Sequence, residues 1–123
     1  METAMQVIVA IIAVPLFALG IRSMFMPANM GDAVGLTPIG IPGLSEIRSH
    51  LGGLFLATVT MIVAGLATDD TTWFLAAATV TAAVAVGRIV SIATDGFHKA
   101  VVPPLLIELI ISGALLAAHN TLN

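Results

Sequence analysis

Four apolar stretches, each long enough to cross a bilayer, take up most of this 123-residue chain. A hydrocarbon core about 30 Å thick requires roughly 20 apolar residues in a helix. Residues 4–25, 45–68, 72–94 and 103–119, to within a residue or two, meet that length. Backbone N–H and C=O groups find no water in lipid, so such stretches must bond internally as helices. The chain is therefore expected to be all-α: a four-helix transmembrane bundle, folded as a single membrane domain over residues 1–123. Composition points the same way. With 59% of residues hydrophobic and 9% charged, a water-soluble domain would lack polar surface.

The breaks between the stretches carry turn chemistry. Pro15 interrupts the first, which a membrane helix tolerates as a kink. The Gly/Pro-rich segment 27–44 (PANMGDAVGLTPIGIPGL) reads as a loop that lies along the interface or dips into it. Ser45 reads as the N-cap of the second helix, with Glu46 at the positive end of its dipole. Asp69-Asp70 form a tight polar turn, Asp95-Gly96 end the third helix, and Pro103-Pro104 open the fourth. A proline there forfeits no hydrogen bond, because first-turn N–H groups are unpaired anyway. The first stretch follows Glu2 without a basic segment and is of spanning length, so it reads as a retained helix rather than a cleaved signal. Small residues (Ala76, Ala77, Ala78, Ala82, Ala83, Ala85, Gly87) allow close packing and mark the third helix as the most enclosed, central to the bundle or to an oligomer interface.

Short turns make neighbouring helices antiparallel. Threaded in this way, the chain puts all four basic residues, Arg22, Arg48, Arg88 and Lys99, on one side and none on the other. Lys and Arg near span ends favour the cytoplasm, so the N- and C-termini are expected on the non-cytoplasmic side. Trp73, at the opposite end, suits an interfacial anchor.

Depth singles out two of these charges. Arg88 lies seven residues before the third helix ends, about 10 Å from the boundary, and Glu108 lies about 7 Å from the same boundary. A lone charge at such depth costs at least ~2.5–3.5 kcal/mol, so the two are expected to pair, with the planar guanidinium meeting the carboxylate bidentately. Glu46 and His50 share a helical face from which Arg48 points away; Arg88, Ser91 and Asp95 share another. Arg22, Glu46, Arg48, His50, Arg88, Asp95 and Glu108 thus form a candidate cluster around one vestibule. It would act either as glue that locks the helices in register or as a site for an anionic ligand or a moving proton.

Other chemistries find little support. With no cysteine in the chain, disulfides, thiolate metal sites and thiol catalysis are ruled out. No basic run points to nucleic acid, and no Ser–His–Asp set, phosphate loop or nucleotide fingerprint occurs. Glu46, His50, Asp95 and His98 make only a loose metal pattern, better explained by hydrogen bonding at helix ends. Met24, Met26 and Met30 read as apolar filler and His119 as a solvated side chain. The residues name no cofactor.

Glu46-Ile47-Arg48 followed by Gly52-Gly53, then Arg88 with Asp95-Gly96, then Glu108 in the last helix, resemble a family of small bacterial four-helix membrane proteins of unknown function. The resemblance covers the chain from about residue 20 onward. It implies a four-helix membrane fold and a bacterial cytoplasmic membrane, and it supplies no substrate. Small multidrug-resistance transporters rely on an acid in the first helix, which this chain lacks within its first span; fluoride channels insert both ways up, against the one-sided charge. The expected function is a non-enzymatic accessory or structural subunit in the lipid bilayer, working as a homo-oligomer or with other membrane subunits. The alternative is a small transporter or a ligand- or lipid-binding protein.

Overall fold

The computed structural model describes residues 2–122. Helix α1 (Glu2–Phe25) passes through Pro15 without ending. A short helix α2 (Pro27–Val34) follows, and α3 (Gly40–Glu46) runs through one π turn (Ile47–Gly52) into α4 (Gly53–Thr68). Helix α5 (Thr72–Asp95) and, after a 3-10 turn at Lys99–Val101, α6 (Val102–Leu122) complete the chain. Four segments are long and apolar enough to cross a membrane: Glu2–Phe25, Gly40–Thr68, Thr72–Asp95 and Lys99–Leu122. Helix α1 packs against α4 and α6, and α5 packs against the same two, so α1 and α5 stand on opposite sides of an all-α bundle.

Segment 27–44 departs from the expected loop. Pro27 starts α2 with a φ already suited to a helix, and Gly35 ends it in the left-handed conformation at φ 78°. The second span begins at Gly40, not Ser45, because Pro42 falls in a first turn where its missing N–H is harmless. Ser45 is consequently inside a helix and caps nothing. Only residues 35–39 remain irregular, and α2 packs on the end of α1 and on the π turn. The last helix also runs beyond residue 119, to Leu122.

The π turn has a packing consequence. Its bonds join residues five apart, which brings Ile47 and Gly52 onto one buried face. Gly52 rests on Met24, where an added Cβ would lie 3.0 Å from Met24 Cγ. An uninterrupted α-helix would turn one of these two residues outward.

The apolar core lies in the half of the bundle next to the α4–α5 turn. Val9 and Leu16 of α1, Ile62 of α4, Phe74, Ala77 and Ala78 of α5, and Ile111, Leu115 and Ala118 of α6 build it. Phe74 fills the space left by Gly65, whose added Cβ would come within 2.7 Å of the ring. Hydroxyls inside the spans are satisfied locally: Ser23 donates to Leu19 O, Thr58 to Leu54 O and Thr81 to Ala77 O, each at 2.8 Å. That pattern suits a helix whose polar groups have no water to bond.

Helix α5 is only half enclosed. Ala77, Ala78 and Ala85 face inward, whereas Ala82, Ala83 and Gly87 are exposed. Within the single chain its small residues therefore divide between a covered face and an exposed one.

Candidate functional site

Arg88 continues the buried stripe of α5 (Phe74, Ala78, Thr81, Ala85) by one more step, and Glu108 continues that of α6 (Ala118, Leu115, Ile111). Antiparallel packing of α5 on α6 then sets the two charges at one level. Arg88 Nε donates to both Glu108 Oε1 and Oε2 at 2.8 Å. One nitrogen thus serves both oxygens, in place of the expected two-nitrogen fork. The Arg88 side chain is 35% exposed and that of Glu108 14%. Among the described residues, the Arg88 Nη groups meet no protein acceptor. The Glu108 backbone carbonyl is also engaged, accepting from Ser112 Oγ at 2.7 Å.

The other candidates bond locally. Glu46 Oε2 and His50 Nδ1 are 2.6 Å apart on an exposed face. Arg48 Nη1 donates to Met24 O, one of the last carbonyls of α1, and so caps that helix from the neighbouring span. Arg22 Nε donates to Asn29 Oδ1 at 2.6 Å, tying α1 to α2. Asp95 Oδ2 accepts from Ser91 Oγ at 3.0 Å, and His98 Nδ1 accepts from Ala100 N at 3.0 Å. Lys99 is exposed. Apart from the Arg88–Glu108 and Glu46–His50 pairs, no hydrogen bond or ion pair among the described residues joins one member of the seven to another. Direct bonds thus do not join the seven into one cluster. Matching depth along the membrane normal does not fix direction around each helix, and most of these side chains bond to partners on their own or an adjoining element. No group of three His, Asp or Glu side chains fit to hold a metal occurs among the described residues.

At the opposite end the structure adds contacts that sequence reasoning missed. His119 is half-buried, with Nδ1 3.1 Å from both Thr71 O and Thr71 Oγ1, so it ties α6 to the α4–α5 turn instead of standing in solvent. Asp70 Oδ1 accepts from Thr72 N at 3.0 Å. Hydrogen bonds from the Thr72 side chain and backbone, with a smaller contribution from His119, hold the Asp70 carboxyl below its ordinary value. The Asp-x-Thr spacing was the available signal for that turn. Beside it lies a cavity of about 230 Å³ lined by Glu2, Gln6, Asp69 and Thr71 over Phe74 and Leu122. A second, open cavity of about 380 Å³ lies at the basic end against residues 36–47. Glu46 lines it; Arg88, Glu108, Arg48, Asp95, His50 and Arg22 line neither cavity.

Four apolar spans whose fully buried side-chain polar atoms, among the described residues, all have partners define a polytopic α-helical membrane protein. Within that class, the chain belongs to the family described as Domain of unknown function (DUF4345), which matches residues 4–119. No curated protein and no solved structure matches the chain.

Proposed function

We propose that this protein is a non-catalytic subunit of a membrane assembly, with a second copy of the chain as the expected neighbour. The observation that carries the reading is unfilled space beside glycines. A Cβ added at Gly53, Gly87 or Gly113 would meet nothing within 4 Å, although all three sit inside helices of the membrane spans. Glycine costs a helix about 1 kcal/mol relative to alanine, and packing inside this chain gives no return at these positions. On α5, Thr79, Ala83 and Gly87 are exposed and four residues apart, the small-xxx-small spacing that lets two membrane helices approach closely. The one-sided Lys and Arg distribution supports a basic end facing the cytoplasm, and the family resemblance supports a bacterial inner membrane.

Light scattering of the protein in mild detergent tests the assembly. At least two chains per particle are expected, and Gly87→Leu should reduce the particle to one chain while leaving thermal melting of the helices unchanged. A single-chain mass for the unaltered protein would overturn the reading.

The second reading, a small transporter or ligand-binding protein, is favoured by the Arg88 Nη groups. Donors within a span need an acceptor, and an anionic group from a ligand would provide one. It requires that Glu108→Gln keep the fold yet abolish a ligand-induced shift in melting temperature.

A further inference from the structure

We infer that Asp95-Gly96, where α5 ends, is a site of spontaneous backbone modification, at which aspartate converts to isoaspartate through a cyclic imide. In the ring-closing step the Gly96 nitrogen attacks Asp95 Cγ. An N–Cγ bond forms, the Cγ–OH bond of the neutral acid breaks, and the amide proton leaves with that hydroxyl as water. Water then reopens the ring at either carbonyl. Opening at Cγ restores aspartate. Opening at the main-chain carbonyl leaves the backbone running through the side chain, one methylene longer. Nothing is oxidised or reduced, and water is the sole co-reactant.

Ring closure needs an unhindered nitrogen, water and a backbone free to rotate. Gly96 has no Cβ beside its nitrogen, and a Cβ built there would meet nothing within 4 Å, so no neighbour crowds the site. At φ 98° and ψ 164° it occupies a region that is essentially glycine's alone. The cap bond that Gly35 N–H makes to Gly31 O has no counterpart at Gly96. Residues 95–100 are all exposed, with the polar His98 and Lys99 among them, and residues 96–98 belong to no regular element. Asp95 is the last residue of α5, where helices fray, so its ψ can leave the helical value at little cost. Ser91 Oγ donates to Asp95 Oδ2 at 3.0 Å, which draws electron density from Cγ, the atom attacked.

The other aspartates lack this combination. Asp32 lies inside α2, with helix on both sides, and precedes Ala33. Asp69 precedes Asp70, and Asp70 precedes the buried Thr71, so each attacking nitrogen has a Cβ beside it. Hydrogen bonds from Thr72 also hold Asp70 in its carboxylate form, which closes the ring poorly. Conversion at Asp95 would take the carboxylate from Ser91 and lengthen the connection between α5 and α6, the two helices that set Arg88 level with Glu108.

Mass spectrometry of the full chain tests the site. The protein is incubated in mild detergent near neutral pH, in heavy-oxygen water, and digested with trypsin. Cleavage after Arg88 and Lys99 releases a peptide from Ile89 to Lys99 in which Asp95 is the only acid. Electron-transfer fragmentation tells the two linkages apart. Isoaspartate carrying heavy oxygen should accumulate at residue 95 with time, while residues 32, 69 and 70 remain aspartate. Asp95→Asn should convert faster, because ammonia then leaves from a neutral amide in place of water. Asp95→Glu should lose the product, because its larger ring closes more slowly. A synthetic peptide of residues 89–99 reports on the same residues without the fold. Conversion in the peptide but not in the protein would show that the folded turn shields the site. Equal conversion at residues 32, 69 and 70 would leave the turn no part in it. Either result overturns the inference.

Discussion

At the scale of single residues, the Arg88–Glu108 pair shows how much a membrane constrains a charge. Two ions left apart within the spans would each cost ~2.5–3.5 kcal/mol on insertion scales. Paired through Nε, they offset much of each other, although the 35% exposure of Arg88 moderates the effect through solvent screening. Glu108→Gln and Arg88→Gln should each lower stability by about 1–3 kcal/mol, and the double variant should recover most of the loss. Chemical denaturation in a fixed detergent measures all three. Additive losses in the double variant would show that the two side chains act independently. The existence and level of this pair were legible in the sequence from residue counts alone. Its geometry was not: the number of nitrogens engaged depends on how far apart the helix axes stand and how each is rotated. Arg48 makes the same point, because its role as a cap on α1 arises from contact between two spans, which no local pattern encodes.

Among the elements, the second span carries the clearest difference between pattern and structure. Its length and its Gly52-Gly53 step were plain in the sequence, but the π turn was not, since no residue type there demands one. Packing explains it: one widened turn lets Ile47 and Gly52 both bury, with Gly52 against Met24. The glycines of the spans divide by the same logic. Gly65 is held open for Phe74, whereas Gly113 faces empty space. Gly65→Ala should destabilise the protein by about 1–3 kcal/mol through overpacking within the chain, while Gly113→Ala should be neutral or stabilising by up to about 1 kcal/mol in detergent-dispersed single chains and destabilising only in the assembled protein. Thermal melts of the two variants compare them directly. Equal effects would mean that Phe74 moves aside or that Gly113 has a neighbour outside the chain.

For the whole molecule, the proposed orientation, with the basic end facing the cytoplasm, makes a labelling prediction. Ala100→Cys, in the 3-10 turn before α6, should react with a membrane-impermeant maleimide only after the cells are opened. Thr72→Cys, at the opposite end, should react in intact cells once any outer envelope is made permeable. The reverse pattern would turn the protein over. Labelling of both sites from one side would mean a mixed population.

Span number, all-α class, antiparallel order and the gathering of charge at one end follow from the sequence by itself. They depend on length and polarity along the membrane normal, and a linear chain records both directly. The tertiary structure decided what happens around each helix axis: which half of the α5 small residues is covered, which acceptor each charged side chain takes, and where residues 27–44 fold. Those outcomes depend on helix rotation and on contacts between distant residues. In a bundle whose outer surface is as apolar as its core, hydrophobicity alone does not tell inside from outside.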